Sequence, residues 1–319
     1  MRRRSLLAAS SLLALPGVAR AQAWPTRPIV LVSPWAAGGA TSIIARVVGE
    51  EMARHLGQPI VVENRPGAGS AIGTAHVARA PNDGHTILIA GAAAFFRPAM
   101  EPTPYAPETD FGFIGSIGDG PFLLVVKKDL PAANLRELIA YAKANPGRLN
   151  FASAGIATTS HLTGEFFKSA AGLDIVHVPY NGSAPAITDL LAGRVDILFD
   201  PFPTTVMHVR SGAIRALGLT TPARHPLGPE IPTLAEEGLP QMTLAPWWGL
   251  VGPAGMPAQA VQRMNEALRL ALDKAEIQAL LIQQGVRPFA MTPDEYGAYV
   301  RREDERWRGV IRAAGLQRA

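Results

Sequence analysis

The chain has 319 residues, a formal net charge of +4 and no cysteine. The lack of cysteine excludes disulfides, thiolate metal sites, a lipid-anchoring cysteine and a cysteine nucleophile. The length suits two domains or one large one, and after the N-terminal region no run approaches the ~20 consecutive apolar residues of a membrane span.

The N-terminus has the pattern of an export signal. Arginines at 2–4 precede a short apolar stretch at 5–15, and small residues allow cleavage after Ala21 or after Ala23. Residues 1–21 carry four arginines and no acid, so their removal brings the formal net charge to zero. The basic charge is therefore no sign of nucleic-acid binding. We expect a periplasmic protein exported by the Sec pathway, or by the Tat pathway that paired arginines also suit.

The first segment of the mature chain predicts a strand, a glycine-rich turn and a helix. Residues 29–32 are apolar and β-branched, and residues 44–56 carry apolar side chains at every fourth position. Gly38 and Gly39 lie between them, followed by Thr41 and Ser42 as candidate N-caps. Free amides at a helix start suit an anion, above all a carboxylate, although a turn without a ligand is the alternative.

Strands and helices then alternate along the chain. Besides an apolar run at 111–117, the pattern predicts strands at 59–63, 86–90, 122–126, 149–153, 175–178, 195–199, 214–220 and 247–251. It predicts helices at 71–80, 135–144, 160–170, 185–191, 261–272, 275–284 and 293–314. This alternation favours an α/β fold with parallel sheets. We expect residues 123–221 to form a second lobe inserted into a first lobe, 22–122 and 222–319, with a ligand cleft between the lobes.

The second lobe repeats the strand, small-residue turn and helix start of the first. Residues 151–161 contain Thr158 and Thr159 at the predicted start of a helix. Two such loops facing each other predict a site for a diacid, with backbone N–H groups as the main donors and hydroxyl groups of Ser42 and the two threonines added.

The sequence supports a metal site or a catalytic site less well than a binding site for an anion. His161 and Glu165 share a helix face, but a third metal ligand is not evident nearby, so we expect no metal. Ser160 and His161 are neighbours on a helix and do not face each other, and the sequence has no Gly-x-Ser-x-Gly, Walker or His-Glu-x-x-His motif. We expect no enzyme and no cofactor, and an exported hydrolase using Ser160, His161 and Asp200 remains the catalytic alternative.

Seven segments together resemble the extracytoplasmic solute receptors of tripartite tricarboxylate transporters, the Bug receptor family. Their order and spacing hold over essentially the whole mature chain. The segments are 33–39 (SPWAAGG), 63–69 (ENRPGAG), 145–153 (NPGRLNFAS), 161–165 (HLTGE), 177–182 (HVPYNG), 189–196 (DLLAGRVD) and 231–240 (IPTLAEEGLP).

The resemblance implies a type II, Venus-flytrap periplasmic binding protein that closes on a small carboxylate and delivers it to membrane permease subunits. Expected ligands are di- and tricarboxylates, acidic amino acids or aromatic acids. A receptor that signals to a membrane sensor kinase is the alternative. The expected ligand-binding residues are Trp35, Ala37, Gly38, Gly39, Ala40, Thr41, Ser42, Gly91, Ala157, Thr158, Thr159, His161, Tyr180 and Asp200.

Three positions depart from the pattern of the family. Trp35 stands where Phe is usual, Ser42 where Asp is usual, and Asn181 where Lys is common. The loss of a carboxylate at Ser42 favours a more anionic or differently substituted ligand. The identity of the ligand therefore stays open at this point.

Overall fold

The computed structural model describes residues 24–318, so the predicted export signal lies outside the described residues. The strands are β1 (Ile29–Ser33), β2 (Ile60–Asn64), β3 (Thr86–Ala90), β4 (Phe111–Asp119), β5 (Phe122–Lys127), β6 (Asn150–Ser153), β7 (Val176–Pro179), β8 (Ile197–Pro201), β9 (Ile214–Leu219), β10 (Trp247–Pro253) and β11 (Arg287–Pro288). The helices are α1 (Ala40–Leu56), α2 (Ala71–Ala78), α3 (Ala93–Phe96), α4 (Pro107–Asp110), α5 (Leu135–Ala144), α6 (Thr159–Ala171), α7 (Ser183–Leu191), α8 (Phe202–Arg210), α9 (Ala258–Asp273), α10 (Ala275–Gln283) and α11 (Pro293–Ala313).

Two mixed sheets form the two lobes of an α/β fold. The first has the strand order β11-β4-β10-β3-β1-β2, and the second has the order β7-β6-β8-β5-β9. In each, three strands are parallel neighbours: β1 lies between β2 and β3, and β6 lies between β7 and β8. The chain leaves the first sheet after β4 and returns to it with β10, which confirms the predicted α/β two-lobe fold. The expectation of parallel sheets was wrong in part, because β10 pairs antiparallel with β3 and β5 pairs antiparallel with β8.

Helix α1 packs on the first sheet through the face that its sequence predicts. Its apolar residues Ile44, Val48 and Met52 are wholly buried in one cluster with Ile29 and Leu31 of β1. Complete burial of each such side chain stabilises the fold by about 1.5–3 kcal/mol, so this face holds the start of α1 rigidly over the ends of the strands. Among residues 24–318, no helix is both long and apolar enough to cross a membrane.

The structure also differs from the sequence predictions at the start of α1 and in several elements that were not predicted. Helix α1 has Gly39 as its N-cap, so Thr41 and Ser42 lie inside its first turn and do not cap it. Helix α8 was not predicted; it begins just after Pro201 and has Pro203 in its first turn, where a missing N–H costs nothing. The short elements α3, α4 and β11 were also not predicted.

Candidate functional site

A cavity of about 80 Å³ lies between the lobes. We call it the interlobe cavity. The starts of α1, α6 and α7 all reach its wall, through Gly39, Thr159 and Ser183. A cavity of this volume holds several water-sized groups, which is the scale of a small organic molecule.

Most of the predicted ligand-binding residues lie together in this wall. Those that line it are Trp35, Ala37, Gly39, Ala40, Thr41, Gly91, Thr158, Thr159 and Asp200. Those outside the lining are Gly38, Ser42, Ala157, His161 and Tyr180. The sequence interpretation missed Ser70 and Ser183, which also line the cavity. Ser183 follows a turn at the end of a strand, Asn181 and Gly182, and the loop before α1 shows the same pattern of a strand, a glycine turn and a helix start.

The first loop presents the open end of α1 to the cavity. Gly38 turns the chain with a φ of +84°, a conformation that favours glycine. Within the described chain no side chain caps α1. Its first N–H groups, which have no partner inside the helix, are therefore left for an anion.

Polar side chains behind this loop hold its shape. The Asn64 amide donates to the Ser42 hydroxyl at 3.0 Å and to the Trp35 carbonyl at 2.8 Å. Ser42 is fully buried in this contact, so its hydroxyl supports Asn64 and does not line the cavity. On the other side, the Trp248 indole N–H donates to the Thr41 hydroxyl at 3.0 Å and fixes a wall of the cavity.

The second loop is closed by its own hydrogen bonds. Thr158 caps α6: its hydroxyl oxygen accepts from the His161 N–H at 3.1 Å, and its O–H donates to the Gly155 carbonyl at 2.7 Å. The Thr158 hydroxyl thus makes its hydrogen bonds within the loop, contrary to the expectation that it is a donor for the ligand. Backbone amides at the start of α6 remain as the main donors on this side.

Ser160 and His161 do not form a catalytic pair. The Ser160 hydroxyl donates to the Phe199 carbonyl at 2.6 Å, and Nδ1 of His161 accepts from the Ala157 N–H at 3.3 Å. The Tyr180 hydroxyl likewise turns to Asp189, at 2.7 Å. The arrangement that a hydrolase would need is therefore not assembled.

A third residue that could bind a metal lies beside His161 and Glu165 in the structure. It is His177, and one possible ligand atom from each of the three residues lies within 4.8 Å of the others. However, the His161 and His177 rings are stacked with centroids 4.1 Å apart, and Nε2 of His177 is hydrogen-bonded with the Ser153 hydroxyl at 2.6 Å. Lys168 also holds Glu165 at 3.1 Å. Burial lowers the pKa of His161 to about 3 and that of His177 to about 4, so this stack is neutral at pH 7.

Asp200 is the one ionisable side chain in the lining of the interlobe cavity, within the part of the chain that the structure describes. It is 0% exposed at the end of β8. The Ser183 hydroxyl donates to Oδ1 at 2.5 Å, and the Thr204 hydroxyl donates to Oδ2. Burial raises the pKa of Asp200 to about 7, although both hydroxyl groups act in the opposite direction.

This burial predicts a stability that depends on pH. The pKa of Asp200 is about 7 in the folded protein, against a reference value of 3.8. The contribution of its neutral form to the free energy of unfolding is therefore fully present below pH 4 and is lost as the pH rises through 7. We expect Asp200→Asn to abolish this loss. The measurement is the free energy of unfolding in urea at pH 5 and pH 8 for both proteins; the same drop in the variant would contradict the assignment.

Arg97 joins the two lobes and was not predicted. It is 3% exposed, and its Nη1 donates to the Gly69 carbonyl of the first lobe at 2.9 Å and to the Ile156 carbonyl of the second at 3.0 Å. Its other terminal nitrogen is paired with Glu101. A second cavity, of about 620 Å³, lies beside this contact. Because the Ile156 carbonyl belongs to the loop before α6, Arg97 links lobe closure to the position of a ligand-facing loop.

Gly69 lets the lobes approach at this contact. A Cβ at Gly69 would overlap both Arg97 and the Ile156 carbonyl. We expect Gly69→Ala to weaken ligand binding about 10- to 100-fold, because overpacking of this kind costs about 1–3 kcal/mol and acts on the closed arrangement. Gly212→Ala is the matched control, since Gly212 also has a positive φ and a Cβ there would meet nothing within 4 Å. Equal calorimetric affinities of the two variants would refute the role of Gly69.

A two-lobe α/β fold with helix N-termini meeting at an interlobe cavity defines a solute-binding protein. Residues 44–316 match the model of a protein family described as "Tripartite tricarboxylate transporter family receptor". The chain belongs to this family. The resemblance found in the sequence is thereby confirmed, and the protein is a binding protein and not an enzyme.

Three solved structures are similar over nearly their whole length. The periplasmic binding protein BugD is 35% identical, with a TM-score of 0.88 over 93% of this chain and 100% of its own. Rpa4515 of R. palustris, solved with adipate, is 34% identical with a TM-score of 0.89, covering 92% of this chain and 99% of its own. MatC of Rhodopseudomonas palustris, with bound malate, is 32% identical with a TM-score of 0.84, covering 90% of this chain and 100% of its own.

Proposed function

We propose that this protein is a periplasmic receptor that captures a small organic carboxylate in the interlobe cavity and delivers it to the permease subunits of a tripartite tricarboxylate transporter. One observation carries the proposal: α1 and α6, from opposite lobes, begin at the same cavity. Each helix start offers unpaired N–H groups and a partial positive charge, so the pair suits an anion held between the lobes.

Several observations support this assignment. No lysine or arginine lines the cavity among residues 24–318, so backbone amides carry the recognition of negative charge. Rpa4515 was solved with adipate and MatC with bound malate, so small dicarboxylates are the first candidate ligands. The export signal predicted at 1–21 and the periplasmic location of BugD support the compartment. We place the lobe limits at 22–122 with 222–319 and at 123–221.

A thermal-shift screen tests the proposal. Protein of residues 22–319, freed of bound ligand by unfolding and refolding, is heated with malate, adipate, citrate, glutamate and benzoate, and with the neutral diamides of malate and adipate as controls. A ligand at about 100 times its Kd stabilises the fold by about 2.7 kcal/mol and raises the Tm by a few degrees. A shift with a carboxylate and none with its diamide supports the proposal; no shift with any acid contradicts it.

A further inference from the structure

The polar groups around the interlobe cavity are unevenly divided. The starts of α1, α6 and α7 contribute N–H donors, and these recognise acceptors on a ligand. Asp200 contributes a carboxyl group, which as an anion only accepts hydrogen bonds. A ligand that fills the cavity therefore meets N–H donors at three helix starts and one buried carboxylate, besides hydroxyl groups that can donate or accept.

The carboxylate of Asp200 can accept more hydrogen bonds than it does in this structure. A carboxylate has about four lone-pair positions, and the hydroxyl groups of Ser183 and Thr204 occupy two of them. Within the described residues, Asp200 has no ion-pair partner, and the groups facing it from α7, α8 and β5 are Ser183, Thr204 and Leu123, all neutral. A buried carboxylate without a cation is unfavourable, so a donor on the ligand would improve its surroundings.

A plain dicarboxylate does not supply that donor. Its oxygens accept hydrogen bonds, and at pH 8, where Asp200 is mostly ionised, its charge adds to that of Asp200 in a site without a cation. A hydroxyl or ammonium group next to the ligand carboxylate donates to Asp200 while the carboxylate keeps the helix amides. From this geometry we propose that Asp200 makes the site selective for carboxylic acids that carry a hydroxyl or ammonium group. This inference rests on the proposed function, because it concerns the same cavity.

The test uses acids that differ only in the donor. Binding to refolded protein is measured by calorimetry at pH 8 for succinate, malate and aspartate, and for glutarate, 2-hydroxyglutarate and glutamate. We expect the hydroxy or amino acid of at least one series to bind about 10- to 100-fold more tightly than its unsubstituted partner, because a site that hydrogen-bonds a donor rejects the analogue without it. Preference for the hydroxyl over the ammonium form, or the reverse, identifies which donor is used.

The variant Asp200→Asn locates the effect. We expect it to reduce the preference to less than about threefold, while Asp196→Asn, a buried aspartate near the other end of β8 that pairs with Lys127 away from the cavity, keeps it. Equal affinities within both wild-type series would overturn the inference and leave the proposed function standing. Binding of none of the six acids would overturn the inference, whereas the proposed function is contradicted only if no acid of the thermal-shift screen binds either. The wild-type comparison holds even if Asp200→Asn does not fold.

Discussion

Replacing Arg97 by methionine is expected to weaken carboxylate binding about 100-fold. Methionine keeps an unbranched apolar stem but donates no hydrogen bond, so the Gly69 and Ile156 carbonyls lose their common donor. A hydrogen bond from a charged group such as a guanidinium contributes about 1.5–3 kcal/mol, and the loss falls on the closed arrangement in which both carbonyls meet Arg97. Calorimetry gives the affinity, and small-angle scattering with saturating ligand shows whether the lobes still close.

The control for this prediction is Arg79→Met. Arg79 donates to the Pro104 carbonyl within the first lobe, so its removal does not touch the contact between the lobes. We expect its affinity to stay within about twofold of the wild type, as is usual for surface changes away from such features. If Arg97→Met bound as tightly as Arg79→Met, Arg97 would have no part in closure.

Replacing Gly39 by valine is expected to abolish measurable binding, a loss of about 100-fold or more, while the protein stays folded. Gly39 has a φ of −76°, so a side chain is sterically allowed on its backbone, and a Cβ there would lie 3.4 Å from the Ala36 carbonyl. The valine side chain would instead occupy the cavity at the start of α1, where the ligand carboxylate is proposed to meet the helix amides.

Gly309→Val is the matched control. Gly309 lies in α11, and the nearest atom to its Cβ position is Nη2 of Arg312 at 3.7 Å, so valine fits there without filling a cavity. Both variants are checked by circular dichroism and then titrated with the ligand found in the screen. An unchanged Kd for Gly39→Val would show that the first loop is not the anion site.

Hydrophobic periodicity was enough to predict most of the fold. The four-residue repeat from Ile44 to Leu56 is buried as expected, and the predicted strand at 86–90 and helix at 135–144 agree with β3 and α5. Helix α8 was missed because the prolines near its start were not recognised as an N-terminal signal, although proline is common in a first turn.

The site could be predicted only where it is made by residues that are consecutive in the sequence. A turn such as 38–41 is made by consecutive residues, so its glycines and its helix start can be recognised from sequence. Arg97 is different: its partners Gly69 and Ile156 lie 28 and 59 residues away, and only the approach of the lobes brings them together. The stacking of His177 on His161 also depends on the pairing of β6 with β7, which no local pattern reports.

The most direct test of the account is a crystal structure of the refolded protein with the carboxylate that the screen identifies. We predict that the ligand lies in the interlobe cavity, with carboxylate oxygens within hydrogen-bond distance of amides at the starts of α1 and α6 and with Arg97 still bound to the Ile156 carbonyl. A ligand found instead in the second cavity beside Tyr180, or on the surface of one lobe, would contradict it.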